Sequence, residues 1–161
     1  MSQSRPTGPW VWMGLIFWLT ITFTAAWIGS RFQPGVWYAG LVKPALTPPA
    51  WIFGPVWTLL YAMMAAAAWL VWRRYGWAHA IGPLGLFLGQ LALNALWSYL
   101  FFGLQRPGLA LLGIVALWLA ILATFVAFWR SHLPAGLLLL PYLLWVSFAT
   151  YLNFQFWRLN P

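Results

Sequence analysis

The 161-residue sequence contains no aspartate and no glutamate. That removes carboxylate general acids and bases, carboxylate nucleophiles, and carboxylate ligands for calcium or magnesium. It also removes the buried acids that many proton-coupled transporters use as relays. Cysteine is absent as well, so disulfides, thiolate chemistry and zinc–thiolate sites are excluded. Charge of any kind is scarce: 5% of residues are charged, against roughly 25% in a soluble domain. Such a chain cannot cover a water-facing surface with charge.

What is present is apolar. Hydrophobic residues make up 64% of the chain and the mean hydropathy is +0.82. These values predict an all-α integral membrane protein, with residues 1–161 forming a single domain. A bilayer span needs about 20 apolar residues, and five runs of that kind occur, about Trp10–Ser30, Trp51–Trp72, Ile81–Gly103, Leu109–Arg130 and Leu133–Trp157. Turn-forming or charged punctuation separates them at Gln33-Pro34-Gly35, Arg73-Arg74-Tyr75-Gly76, Arg106-Pro107-Gly108 and His132-Leu133-Pro134. The expected architecture is a five-transmembrane-helix bundle with a long connection, residues 31–50, after the first helix. The first run exceeds the roughly 7–15 apolar residues of a signal peptide, and no small-x-small cleavage site follows it, so it is expected to remain as a helix.

The net charge of +8 is dispersed over Arg5, Arg31, Lys43, Arg73, Arg74, Arg106, Arg130 and Arg158, all between or beside apolar runs. Anchoring to lipid phosphates at helix ends explains most of them. Arg31 or Lys43 is the best candidate to meet an anionic ligand group. No basic cluster or stripe exists, so no nucleic-acid partner is expected. With five spans, Arg5, Arg73, Arg74 and Arg130 fall on one side and Arg31, Lys43, Arg106 and Arg158 on the other, four against four. The positive-inside rule therefore gives no orientation. Most of the 15 tryptophans lie near run ends, where aromatic belts are ordinary.

Polar or amphipathic groups far from both interfaces are more informative. Phe53, Trp57, Tyr61 and Met64 recur at helical spacing in the second run, as do Asn94, Trp97, Ser98 and Phe101 in the third. In the fifth, Trp145, Phe148, Ala149 and Leu152 share a face. A mid-membrane indole N–H, phenol or amide needs a partner that lipid tails do not offer, so these faces should turn inward. Asn94 then either bonds across to another helix or belongs to an aromatic-walled small-molecule pocket. Flat walls suit a flat conjugated ligand. The connection "WYAGLVKPALTPPAWIFGPVWTLLY", Trp37–Tyr61, carries four prolines. Pro44, Pro48 and Pro49 should hold their part of it extended and stiff, and Pro55 should sit in the first turn or so of the second helix. The stretch is either a lid over such a pocket or a short-leashed connector. His79 and His132 lie at bilayer edges, too isolated to predict a metal or haem ligand. Gly82, Gly85, Gly89 and Ala92 form a smooth strip that permits close helix approach, within the bundle or, preferably, between two chains of a homodimer.

The chain resembles the TspO / translocator protein family, also called tryptophan-rich sensory proteins or peripheral-type benzodiazepine receptors. The motifs begin with Trp37-Tyr38, Lys43-Pro44, Pro48-Pro49 and Trp57-Thr58 with Tyr61. They continue with Asn94, Trp97-Ser98 and Phe101-Phe102-Gly103, then Pro141-Tyr142 with Trp145. Ala149-Thr150-Tyr151-Leu152-Asn153 and Trp157-Arg158-Leu159-Asn160 complete them. The resemblance covers nearly the whole chain. It implies a five-helix membrane bundle, commonly homodimeric, with a pocket closed by the loop after the first helix. Family ligands are porphyrins such as protoporphyrin IX, haem-related tetrapyrroles, cholesterol in animals and benzodiazepine-type drugs. By motif position the pocket residues would be Tyr38, Pro48, Phe53, Trp57, Tyr61, Asn94, Trp97, Ser98, Trp145, Phe148, Ala149 and Leu152. No cofactor is required by this resemblance.

Three functions follow from it: porphyrin binding for sensing, transport or stress regulation; light-dependent oxidative degradation of protoporphyrin IX, in which Trp57 and Trp145 would be the redox-active residues; and an assembly role without a working pocket. A bacterial cell membrane is the expected location. The chain departs from the family pattern at Ala39 and Gly40, where some bacterial relatives carry an acid, at Leu46, where an aromatic is common, and at Phe154, where the animal cholesterol pattern has tyrosine. These departures bear on ligand choice, and no cholesterol specificity is expected.

Overall fold

The computed structural model describes residues 8–161; Arg5 lies outside them. Helix α1 is Pro9–Ser30. A short helix α2, Val36–Gly40, follows. Next come α3, Ala50–Ser98, a π-helical turn at Tyr99–Gly103, α4 at Pro107–Ser131 and α5 at Leu133–Leu159.

The apolar helical segment Ala50–Gly103 is 54 residues long. Unbroken, at about 1.5 Å per residue, it would run roughly 80 Å, more than twice the apolar thickness of a bilayer. It breaks at Gly76, whose φ of 66° and ψ of −175° lie in a region open essentially to glycine alone. The chain reverses there into two arms, residues 50–75 and 77–98. Their side-chain bonds prove the reversal: Tyr61 on the first arm meets Asn94 on the second, and Met64 meets Gln90. With α1, α4 and α5, the two arms make five membrane-spanning helices.

Small residues set the close approaches. A Cβ on Gly14 would lie 2.0 Å from the Trp72 ring, so α1 seats directly against the first arm. The Trp69 indole donates to the Val11 carbonyl at 2.8 Å, and fully buried Trp18 packs between Trp77 and Phe87. Helices α4 and α5 turn through one residue, His132. A Cβ on Gly136 would lie 2.8 Å from the Trp129 backbone, which is how the two helices pack from their first turn. Burial and, second, the nearby Arg74 hold the His132 imidazole below its ordinary pKa. Large apolar side chains such as Ile81, Leu112 and Leu144 point outward, as expected where the solvent is lipid.

Four sequence expectations are revised. The connection expected around residues 73–80 is a turn at Gly76, so His79 sits in the first turn of the second arm. The third span reads as ending at Gly103, but its last five residues form a π-turn, with the Leu104 amide donating to the Tyr99 carbonyl at 2.8 Å. Pro55 lies five positions after Ala50, in the second helical turn, where it leaves the Trp51 carbonyl without its i+4 donor. The part of the connection expected to be held extended by Pro44, Pro48 and Pro49 instead begins with a turn, the Thr47 amide donating to the Pro44 carbonyl at 3.0 Å.

Candidate functional site

A cavity of about 1160 Å³ opens at the end of the bundle opposite the Gly76 turn. Phe53, Trp57 and Tyr61 recur every four residues on the first arm, so one stripe of that helix forms one wall. Asn94, Trp97 and Ser98 line it from the second arm, Trp145 and Ala149 from α5, and Tyr38 and Pro48 from the lid. Ten of the twelve residues expected at the site therefore share one chamber. Phe148 stands outside the lining, half-buried, with its ring 5.9 Å from Trp145, which it backs. Leu152 is buried, 6% exposed, one turn further along toward Phe156, where the lid packs. His79 and His132 lie at the other end of the bundle.

Sequence reasoning missed the fourth wall. Phe23, Ala26, Trp27 and Ser30 of α1 line the cavity at i+3 and i+4 spacing. Helix α1 is apolar all round, so no face stood out; only the polar Ser30 and the periodic aromatics signal it.

The floor is a chain of hydrogen bonds. Tyr61 Oη donates to Asn94 Oδ1 at 2.6 Å. Asn94 Nδ2 donates to Tyr142 Oη at 2.9 Å, Tyr142 Oη to Gln90 Oε1 at 2.9 Å, and Gln90 Nε2 to Met64 Sδ at 3.7 Å. Asn94 thus bonds across helices and lines the cavity at once. Gln90 and Tyr142 were not expected here, although Gln90 stands one helical turn from Asn94 in an otherwise apolar run. Trp97 spends its N–H on Asn153 Oδ1 at 2.9 Å, and Asn153 Nδ2 holds the Pro107 carbonyl at 2.8 Å. The indole N–H groups of Trp57 and Trp145 make no hydrogen bond to protein among the described residues. They are free donors inside the chamber, as is the more exposed Trp27 indole on the α1 wall. The Trp57 ring lies 5.6 Å from Tyr61, and Trp145 meets Phe53 edge-on at 5.9 Å.

The lid is clamped to the bundle. Tyr38 packs on Phe102 at 5.7 Å and on Phe156 at 5.4 Å, and the π-turn brings Phe101 and Phe102 under it. Half-burial pushes the Tyr38 phenol up, so it stays neutral. Lys43 Nζ donates to the Tyr38 carbonyl at 2.9 Å and sits 4.2 Å from the Tyr38 ring centre. Asn160 closes the far side: Val42 N donates to its Oδ1 at 2.9 Å, while its Nδ2 donates to the Val42 carbonyl at 3.1 Å and the Phe156 carbonyl at 3.0 Å. Each such bond contributes about 0.5–1.5 kcal/mol net. Asn160→Ala is therefore expected to speed amide hydrogen exchange across residues 36–43 by about 5- to 30-fold, with α4 unchanged. Equal protection in variant and wild type would show that Asn160 does not hold the lid.

A multi-pass helical membrane protein with an enclosed aromatic chamber under a clamped lid is the class these features define. The profile of the TspO/MBR family matches residues 10–158. A Chlorobaculum tepidum protein named tryptophan-rich protein TspO is 50% identical over 138 residues, covering 83% of this chain and 87% of its own. The human translocator protein is 46% identical over 138 residues, covering 83% of this chain and 82% of its own. A Cereibacter sphaeroides tryptophan-rich sensory protein is 41% identical over 147 residues, covering 88% and 91%. The chain belongs to the TspO/MBR family.

Proposed function

We propose that the chamber binds a porphyrin such as protoporphyrin IX or a haem-related tetrapyrrole, and that this binding serves sensing, transport or stress regulation. The observation that carries the proposal is the chamber itself: about 1160 Å³, walled by Phe53, Trp57 and Trp145, with the Trp57 and Trp145 indole donors left free. Pockets for drug-sized ligands run about 300–1,000 Å³, so this one has room for a tetrapyrrole. The relatives' names, translocator and sensory protein, support a role in moving or reporting a ligand. A dark titration of the purified protein in detergent with protoporphyrin IX, read by tryptophan quenching, should saturate. Quenching that stays linear with ligand would mean partitioning into detergent and would sink the proposal.

Light-dependent degradation of the same ligand is the second function, favoured by one observation. Trp57 stands 5.6 Å from Tyr61 and 6.2 Å from Tyr142, a run of oxidisable rings leading away from the chamber. Under illumination in air, loss of the porphyrin bands that Trp57→Phe abolishes would support it; loss at the solution rate would count against it.

A homodimer is part of the proposal. Gly82, Gly85, Gly89 and Ala92 are all exposed, and a Cβ at any of the three glycines meets nothing within 4 Å. Among the described residues the strip has no close partner inside the bundle. Gly89→Trp should convert a dimer in detergent to the 18.3 kDa single chain by light scattering; an unchanged mass would place the contact elsewhere or remove it. The bacterial relative at 50% identity supports a bacterial cell membrane as the location, which membrane fractionation checks.

A further inference from the structure

Lys43 is the one charged side chain lining the chamber among the described residues. The sequence has no aspartate or glutamate, so no side chain of this protein can neutralise it. Its only bond among the described residues is to the neutral Tyr38 carbonyl at 2.9 Å, which uses one of the three ammonium donors. The other contact is the Tyr38 ring face at 4.2 Å, a weak attraction at an exposed site. The other side chains free in the lining are neutral: the indole N–H groups of Trp27, Trp57 and Trp145 only donate, while the Gln33 amide and the Ser98 hydroxyl can donate or accept. The floor acceptors are already taken: Asn94 Oδ1 receives Tyr61, and Gln90 Oε1 receives Tyr142.

The chamber is thus one-sided. It offers a cation at its mouth, only neutral polar groups on its walls and no side-chain carboxylate. A ligand amine would meet repulsion at the lid and no carboxylate anywhere. A ligand acid would meet a cation whose present partner is a single backbone carbonyl. Granted the binding function proposed above, we infer that the chamber selects flat conjugated acids over their neutral or cationic analogues. The ring system lies between the aromatic walls, and a ligand carboxylate at the mouth takes the hydrogen bond that Lys43 now gives to Tyr38. Charge-assisted bonds of this kind are about twice as strong as neutral ones, and water at the mouth keeps the advantage moderate.

The test compares two compounds on the full chain in detergent, in the dark. Protoporphyrin IX carries two carboxylates; its dimethyl ester carries none and has the same ring. Wild type should bind the acid about five- to tenfold more tightly than the ester. Lys43→Gln should bring the acid-to-ester affinity ratio to about one, whatever it does to the ester through the lid, and Lys43→Arg should keep most of the preference. Saturable binding of both compounds with equal affinity overturns the inference and leaves the porphyrin-binding function standing. An acid preference that survives in Lys43→Gln also overturns it. Failure of both compounds to saturate overturns that function and the inference together. Saturable ester binding verifies that Lys43→Gln folds; if that variant does not fold, the wild-type comparison and Lys43→Arg decide.

Discussion

Replacing Trp145 by alanine is expected to weaken protoporphyrin IX binding by about 30- to 100-fold in the dark. The ring is half-buried on α5 and forms the wall facing the Phe53 stripe of the first arm, 5.9 Å from it. It takes no part in the hydrogen-bonded floor, so its loss removes a wall without breaking the fold. Truncating a well-packed aromatic anchor at a binding site typically costs 2 kcal/mol or more, and every 1.4 kcal/mol is about tenfold in affinity. Phe148 supplies the control. It touches Trp145 at 5.9 Å but does not line the chamber, so Phe148→Ala should change the affinity by less than about threefold. Equal losses in the two variants would mean that the ligand does not sit against the Trp145 face. No effect from Trp145→Ala would move it out of the chamber altogether.

How the site came to be legible is plain from where its residues lie. Tyr61, Asn94 and Trp145 are amphipathic groups at mid-span, and mid-span is where lipid satisfies nothing, so their inward orientation was readable from position alone. Phe53, Trp57 and Tyr61 added a strict i+4 stripe. Helix α1 offered no such contrast: Phe23 and Trp27 line the chamber, yet the residues around them are equally apolar, and periodicity cannot separate a lipid-facing side from a ligand-facing one. Leu152 shows the opposite failure. It shares a helical face with Trp145, but the chamber ends before its turn, because Tyr38 of the lid packs onto Phe156 just beyond. Depth, unlike face, depends on what covers the end of the bundle.

The lid was only half readable. Its prolines pointed to an extended run, but the chain turns at Pro44–Thr47, where Pro44 is buried. The helical turn Val36–Gly40 was hidden because five residues are too few for a period. The clamp by Asn160 joins positions 118 apart in sequence, which no local pattern encodes. The Gly76 reversal was marked by its neighbours Arg73 and Arg74, but not its tightness; that comes from a positive φ which glycine alone accepts without strain.

Asn94→Leu is expected to destabilise the protein by about 1–3 kcal/mol, seen as a lower unfolding temperature in detergent. The side chain is 2% exposed, and two buried partners depend on it. Tyr61 loses the acceptor at 2.6 Å, and Tyr142, 1% exposed, loses the donor at 2.9 Å. Interhelical hydrogen bonds in membranes average only about 0.6 kcal/mol, since a single broken bond usually finds a substitute. Here the substitutes are few: Gln90 is already engaged by Tyr142, and its amide nitrogen by Met64. The asymmetry between a broken pair and an absent pair makes the proposal sharp. Tyr61→Phe alone leaves Asn94 Oδ1 unpaired, Asn94→Leu alone leaves the Tyr61 hydroxyl unpaired, and the double variant leaves neither. The double variant should therefore be less destabilised than the sum of the singles by about 0.5–1.5 kcal/mol. Strict additivity would mean that Tyr61 and Asn94 find other partners, water in the chamber first among them. Tyr61 would then face the ligand as a free hydroxyl, and Tyr61→Phe would register in porphyrin affinity instead of stability.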